Sequence, residues 1–209
     1  MHLFARVGFN HYTHLNAWKE AFPDPAVSPA HYTRFLVVDC PELITVVDTR
    51  EGGLISTFSN VERLELWGKI GDGYLNLVPF HNFSPALKSL RLMFRFISPS
   101  KIFNLICSLP LLEDLNLDIG ELDTSDEDGT FFRPSTSPPL TGTLTLNLYL
   151  GERYLINRLL DLPNGLHFRS IVCRLSESLG GAAALVEGCS DTLEHVHVGC
   201  YTLGELLPF

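Results

Sequence analysis

The sequence predicts an α/β fold, a curved parallel sheet of about seven short strands with helices and irregular returns on its outer side. The strongest observation is an apolar triad of the form L-x-x-L-x-L that recurs along the chain. The triads are centred on Leu64, Leu90, Leu115, Leu146, Ile171 and Val196, so the steps between them are 26, 25, 31, 25 and 25 residues. A weaker copy is centred on Leu36. Helix signals between several of the copies are the second observation.

Stacking of these units explains the recurrence. One strand and one return cannot bury an apolar edge alone, so neighbouring units pack together and share a continuous core. A period in the twenties is typical of leucine-rich-repeat solenoids. We therefore predict that residues 1–209 form a single leucine-rich-repeat domain whose central triad residues line one buried spine. The composition agrees, because a chain of 209 residues with 45% apolar content is able to form a sizeable core.

The segments between the triads contain the predicted helices. Residues 1–30 are predicted as a lead-in, a short strand followed by a helix over residues 15–22. Ser98 is a favourable N-cap for the clearest helix, which carries proline at its first position and an apolar stripe. Two further helices are predicted over residues 152–160 and 179–186, where glycines follow the periodic stretch.

The one long step in the repeat predicts an insertion. Residues 118–140 contain a cluster of acidic side chains followed by proline and serine. Such a segment cannot bury apolar surface. We therefore expect an irregular, mobile loop between two repeats.

Charge and hydropathy limit the partners. The formal net charge is −9 with 15 lysines and arginines, so neither nucleic acid nor an anionic membrane is the expected partner. No stretch approaches the roughly 20 apolar residues that span a bilayer, and the first residues do not show the pattern of a secretion signal. We expect a cytoplasmic or nuclear protein. The five cysteines form no C-x-x-C pair, and we expect buried, reduced thiols.

The side chains between the triad leucines define a candidate binding surface. Because side chains alternate along a strand, these residues point away from the core, and we call the surface that they form the inner face. We predict that a protein partner docks there, on its mixture of acidic, basic and aromatic groups. The candidate contact residues are Arg63, Glu65, Trp67, Arg91, Met93, Asp114, Asn116, Asp118, Asn147, Tyr149, Arg174, His195 and His197.

No motif in the sequence indicates catalysis, a cofactor or a metal. There is no G-x-S-x-G, H-E-x-x-H, phosphate-binding or dinucleotide-binding pattern. His195 and His197 share one side of a predicted strand, but two ligands fall short of a metal site. The acidic run at residues 123–129 lacks the carboxylates that a calcium loop needs, since Thr124 and Ser135 occupy those positions. We predict a protein without enzymatic activity.

Several strings in the chain resemble one family. These are H-L-F-A-R-V at 2–7, A-W-K-E-A-F-P-D-P at 17–25, F-S-N-V-E-R-L-E-L-W-G at 58–68, F-S-P-A-L-K-S-L at 83–90, L-P-L-L-E-D-L at 109–115, L-P-N-G-L-H-F at 162–168 and L-V-E-G-C-S-D-T-L-E at 185–194. Together they cover much of the chain. In this respect the sequence resembles basidiomycete fungal proteins that carry an F-box at the N-terminus and irregular leucine-rich repeats after it.

The resemblance implies a function. In such proteins the repeats hold a target and the F-box binds the adaptor of a cullin-type ubiquitin ligase, so this chain would be the substrate-recognition part of the receptor. The H-L-F-A-x-V string normally follows the F-box, yet it begins here at residue 2. The adaptor is therefore an expected partner only if an F-box lies upstream. A scaffold or structural leucine-rich-repeat protein unrelated to ubiquitination is the alternative.

One departure from a regular repeat is also visible. Asparagine or cysteine is expected three residues after the last leucine of each triad, and it is missing here. The positions are occupied by Lys69, Arg95, Gly120, Ser176 and Tyr201. We expect a less regular solenoid as a consequence.

Overall fold

The computed structural model describes residues 4–39, 54–68, 77–81, 83–123, 137–175 and 179–200. In this part of the chain, eight parallel strands form one sheet in the order of the sequence. The strands are β1 (Arg6–Phe9), β2 (Phe35–Asp39), β3 (Arg63–Gly68), β4 (Ser89–Ile97), β5 (Asp114–Leu122), β6 (Thr143–Leu148), β7 (Ser170–Leu175) and β8 (His195–Cys200). The α/β class and the parallel sheet are confirmed, with eight strands in place of about seven.

The helices lie in the returns between strands. They are α1 (Tyr12–Ala21), α2 (Pro99–Cys107), α3 (Glu152–Leu160) and α4 (Leu179–Gly188). Short 3-10 helices occupy Pro25–Val27, Pro29–Tyr32, Leu54–Thr57 and Val78–Phe80. The bounds of α3 match the prediction, whereas α1 begins earlier because the His11 side chain accepts a hydrogen bond from Thr13 N at 3.3 Å. Ser98 precedes α2 as predicted, but its hydroxyl lies 2.7 Å from Ser100 Oγ and does not cap the helix.

The central triad residues of successive strands are register partners. The resulting spine runs through Leu36, Leu64, Leu90, Leu115, Leu144, Ile171 and Val196. The residues from Leu36 to Ile171 are each at most 1% exposed and belong to one core cluster with the apolar faces of α2 and α3. Close packing along this spine supplies the apolar burial that one repeat alone cannot achieve.

The predicted spine is wrong at one strand. Leu144, and not Leu146, is the partner of Leu115, while Leu146 is the partner of Leu117. Leu144, Leu146 and Leu148 alternate along β6 and are all fully buried, so their pattern fits two registers that differ by two residues. The prediction selected the other of these two registers.

The spine is open at its last strand. Val196 is the register partner of Ile171, yet it is 49% exposed, which contradicts its predicted burial. Among the described residues, no strand pairs with the far edge of β8. Within the described ranges, Val196 therefore lacks the neighbouring strand on one side that its counterparts in β2 to β7 have.

The predicted insertion is shorter than expected within the described residues. β5 continues to Leu122, and Leu140 is fully buried with its N–H donated to Leu112 O at 3.1 Å. Both ends of the predicted 118–140 loop thus belong to the fold, because the alternation of buried side chains continues past Asp118. Residues 124–136 of the predicted loop lie outside the described residues.

The strands β4 and β5 continue through the positions where a regular repeat would turn. Arg95 and Gly120 occupy these positions, and their neighbours Phe94 and Phe96 pair with Ile119 and Glu121. A Cβ atom on Gly120 would lie 2.6 Å from Arg95 O. The absence of a side chain at Gly120 is therefore what lets the two backbones approach.

A ladder of backbone hydrogen bonds fixes the start of each strand. Arg34 O accepts from Glu62 N at 2.8 Å and from Arg63 N at 3.0 Å. The carbonyl oxygens that accept such a pair from the next repeat are those of Ala5, Arg34, Glu62, Lys88, Gly142 and Arg169. Side chains of opposite charge accompany this ladder, with Arg34–Glu62 at 3.2 Å and Lys88–Glu113 at 3.0 Å. These exposed pairs contribute little stability, and the backbone bonds set the register.

Aromatic side chains close the core at the first strand. The Phe9 ring lies 5.8 Å from the Trp18 ring and 5.9 Å from the Phe58 ring. Trp18 comes from α1, which packs against β1. The core is thereby covered at this end by a helix.

The register of β5 and β6 is testable with paired cysteines. Asp118 and Asn147 are register partners, so their Cα atoms lie about 5 Å apart, within the range for a disulfide. The alignment predicted from sequence pairs Asn147 with Asn116, which the structure places on a diagonal of about 8 Å. We expect Asp118→Cys with Asn147→Cys to form a disulfide under mild oxidation, and Asn116→Cys with Asn147→Cys not to. Peptide mapping without reduction measures both, and the reverse result would contradict the observed register.

Candidate docking face

The inner face consists of three rows that cross the sheet, and the first of them contains Phe35, Arg63, Ser89, Asp114, Thr143, Ser170 and His195. Its middle row runs through Val37, Glu65, Arg91, Asn116, Thr145, Val172 and His197, and each residue pairs in register with the next. The third row contains Asp39, Trp67, Met93, Asp118, Asn147, Arg174 and Gly199. The predicted site residues on strands are therefore brought together on one side of the sheet. Tyr149 follows the end of β6, where its N–H donates to Ile119 O at 3.2 Å.

Glu65 is not available to a partner, contrary to the prediction. It is 3% exposed, and its Oε1 lies 2.6 Å from Arg63 Nη2 and 3.9 Å from Arg91 Nη1. A carboxylate is buried only when cations or hydrogen-bond donors compensate for the lost water. Glu65 therefore positions the two guanidinium groups, which are the parts of this cluster that reach solvent. Sequence alternation placed Glu65 on the correct side but gave no sign of its burial.

Arg63 also takes part in a stack that sequence reasoning missed. Its guanidinium lies 4.8 Å from the centre of the Phe35 ring, and that of Arg6 lies 4.5 Å from the same ring. An arginine over an aromatic ring is held by a cation–π attraction. Phe35 directly precedes Leu36, the centre of the weaker repeat copy, so side-chain alternation places the Phe35 ring on the inner face. This position was the available sequence signal for the stack. The basic end of the inner face thus begins at β1.

Asp114 has a structural task at the junction of β5 and β6. At this junction Glu113 O accepts one hydrogen bond, from Gly142 N at 3.0 Å. The N–H of the following residue, Thr143, donates instead to Asp114 Oδ1 at 2.6 Å. The side chain of Asp114 thus replaces the second bond that a carbonyl oxygen accepts at other strands. Gly142 leaves room for this arrangement, because a Cβ atom there would overlap Asp114 Oδ1.

Two carboxylates of β5, those of Asp114 and Asp118, have neutral partners. Asp118 Oδ2 accepts a hydrogen bond from Asn147 Nδ2 at 3.3 Å, and Asp114 is bound to a backbone N–H. Across the described residues, no lysine or arginine nitrogen lies within 4.0 Å of either carboxylate. The middle of the inner face therefore carries two negative charges beside the net positive cluster of Arg63, Glu65 and Arg91.

In the described part of the chain, three buried polar atoms on the inner face have no hydrogen-bond partner. They are Trp67 Nε1, Arg91 Nε and Asn116 Oδ1, on the successive strands β3, β4 and β5. Two are donors and one is an acceptor. An unsatisfied buried polar atom costs free energy, so a group that rearranged these side chains and paired with them would bind favourably.

No known protein family, curated protein or solved structure matches the chain.

The remaining site residues lie toward the last two strands. Arg174, His195 and His197 are exposed. Within the ranges that the structure describes, no three histidine, cysteine or acidic side chains are grouped so as to hold a metal ion. In the same ranges, no helix combines the length and the apolar character that crossing a bilayer requires.

Three cysteines pack into the core as free thiols. They are Cys107, Cys173 and Cys189. Burial raises the pKa of Cys107 to about 11, and burial together with the charge of Glu152 raises the pKa of Cys173 to about 12. These thiols therefore remain protonated at neutral pH, as expected for side chains that serve packing. Cys40 and the Cys200 side chain lie outside the described part.

Proposed function

We propose that this chain is a non-enzymatic, leucine-rich-repeat module that binds a protein through its inner face. The observation that carries the proposal is the register, which aligns outward side chains of eight parallel strands into one surface. That surface combines guanidinium groups, uncompensated carboxylates and the half-buried side chains of Trp67 and Met93. Mixed surfaces with aromatic and arginine anchors are the usual location of binding hot spots. The row structure offers a partner many contacts at once.

We further propose that the partner is a target for ubiquitination. The basis is the resemblance of the repeat strings to fungal F-box receptors, in which the repeats select the target. An F-box joined upstream would bind the adaptor of the cullin-type ligase. The inner face would then hold the target while the ligase modifies it, and no chemistry would be required of the repeats themselves.

Affinity capture from a fungal extract tests the docking face. We expect Trp67→Ala combined with Met93→Ala to reduce capture of the partner by at least about tenfold, since these half-buried side chains are register neighbours on the inner face. The matched control is Leu111→Ala combined with Leu150→Ala, because these leucines are 49% and 53% exposed outside the inner face. The control should capture as much partner as the unmodified chain. Equal capture by all three proteins would contradict the assignment.

A reconstitution test separates a ligase receptor from a scaffold. An F-box is fused upstream of residue 1, and the captured partner is incubated with the adaptor, cullin complex, ubiquitin and the activating and conjugating enzymes. The receptor function predicts ubiquitin on the partner, and loss of that product with the Trp67 and Met93 variant. A partner that is captured but never modified would favour the scaffold alternative.

A further inference from the structure

The charges on the inner face are arranged in an order that selects a partner. Arg63 and Arg91 surround the single buried carboxylate of Glu65, so β3 and β4 present net positive charge. The next strand, β5, presents Asp114 and Asp118, whose hydrogen-bond partners are neutral. Complementary charge on a partner would therefore be acidic over β3 and β4 and basic over β5.

The distance between the two charged regions corresponds to an extended chain. Arg91 pairs in register with Asn116, so Asp114 and Asp118 lie one strand away and two residues along the strand. The diagonal from Arg91 to each aspartate is about 8 Å between Cα atoms. In an extended peptide, side chains two positions apart point the same way and lie roughly 7 Å apart. One acidic and one basic side chain with a single residue between them would thus reach both regions.

The unpartnered polar atoms indicate peptide backbone. Trp67 Nε1 and Arg91 Nε are donors that lack an acceptor, and Asn116 Oδ1 is an acceptor that lacks a donor. They lie on three consecutive strands, next to the charged groups. The main chain of an extended peptide carries both carbonyl acceptors and N–H donors at short intervals. A peptide crossing β3 to β5 would offer both kinds of group to these three side chains, and because the atoms are buried, the side chains would have to turn toward it to pair.

We infer that the inner face binds an extended peptide segment of its protein partner, laid across β3, β4 and β5. The segment carries an acidic residue that pairs with Arg63 and Arg91, and a basic residue two positions away that pairs with Asp118. This inference rests on the proposed function and specifies the chemistry of the target. It describes an exposed, charged, linear segment of the target and not a folded apolar surface.

Peptide display tests the inference without a known partner. A library of random peptides about ten residues long is selected on the purified chain, and enriched sequences are made as fluorescent peptides. We expect an acidic and a basic residue separated by one position, and binding that weakens as salt increases. The enriched peptides could lack this pair and still bind the Met93→Arg variant more weakly than the unmodified chain. That result would overturn the inference and leave the docking face intact. If no enriched peptide loses binding on Met93→Arg, both proposals fail.

Charge exchange provides a stricter test with the selected peptide. We expect Asp118→Lys to weaken binding by about tenfold or more, and replacement of the basic residue in the peptide by glutamate to restore it. The matched control is Asp161→Lys, which makes the same charge change at an exposed position after α3. Asp118→Asn is the milder variant if the lysine variant unfolds in a thermal melt. Loss of binding that the exchanged peptide does not restore would overturn the inference.

Discussion

Replacing Arg63 and Arg91 together with methionine is expected to lower the free energy of unfolding by about 3–5 kcal/mol. Glu65 is 3% exposed in the unmodified chain, and the two changes remove both cations beside its carboxylate. Methionine keeps most of the aliphatic contact that each arginine stem makes, so the loss reports the stranded charge. Each single replacement leaves one guanidinium near Glu65 and should cost less. Urea unfolding followed by circular dichroism measures all three variants.

A third replacement is the control for this prediction. Adding Glu65→Met to the two arginine changes removes the stranded carboxylate, and stability should return to near the original value. Buried ion clusters are commonly exchanged for apolar side chains of similar size at little cost. If the double variant lost less than about 1 kcal/mol, a value usual for surface charges, Glu65 would not depend on its arginines.

Gly142→Ala is expected to lower the free energy of unfolding by about 2–4 kcal/mol. The added methyl group would overlap Asp114 Oδ1 and lie 3.2 Å from Glu113 O. Asp114 would have to move and release the N–H of Thr143, which it now binds at 2.6 Å. Both the overlap and the lost bond act at the junction of β5 and β6. Urea unfolding of the purified variant measures the loss.

A double-mutant cycle identifies the cause of that loss. Asp114→Ala removes the bond to Thr143 and also removes the atoms that a methyl group on Gly142 would strike. Gly142→Ala should therefore cost much less in the Asp114→Ala background than in the original chain. Additive losses would show that the glycine is required for another reason, such as the close approach of the added methyl group to Glu113 O.

The buried layer of this protein was largely predictable from sequence, because its signal is repeated. Leu64, Leu90 and Leu115 each sit in a triad, and their spacing located strands β3, β4 and β5. The helices were located by proline, glycine and apolar periodicity. The prediction failed where the pattern was degenerate, at Leu144 and Leu146, since two leucines on the same side of one strand satisfy either register.

The candidate site was predictable as a set of positions but not as a set of roles. Alternation places Glu65, Arg91 and Asp114 on the inner face, and the structure agrees. It does not show that Glu65 is buried between arginines or that Asp114 binds a backbone N–H. These roles depend on contacts between residues that lie 26 to 29 positions apart, such as Glu65 with Arg91 and Asp114 with Thr143. The repeat spacing predicts which outward positions are neighbours on adjacent strands, but it does not show which of those side chains bond to each other.

Under the proposed function, the charge cluster and the junction at Gly142 both bear on binding. Glu65 holds Arg63 and Arg91, and Asp114 is fixed by its bond to Thr143. The guanidinium and carboxylate groups are therefore held in position before a partner arrives. Pre-organisation of this kind reduces the entropy lost on association. The same contacts that stabilise the fold thus prepare the inner face for docking.

Photo-crosslinking from the inner face is the most direct test of the central claim, that the aligned outward side chains are the docking surface. A benzophenone amino acid is placed at Met93, in the middle of the inner face, and in a second protein at Leu111, which is exposed outside it. Each protein is irradiated with the captured partner, and the products are mapped by mass spectrometry. The account predicts a crosslink to the partner from position 93 and none from position 111. A crosslink from position 111 with none from position 93 would contradict it.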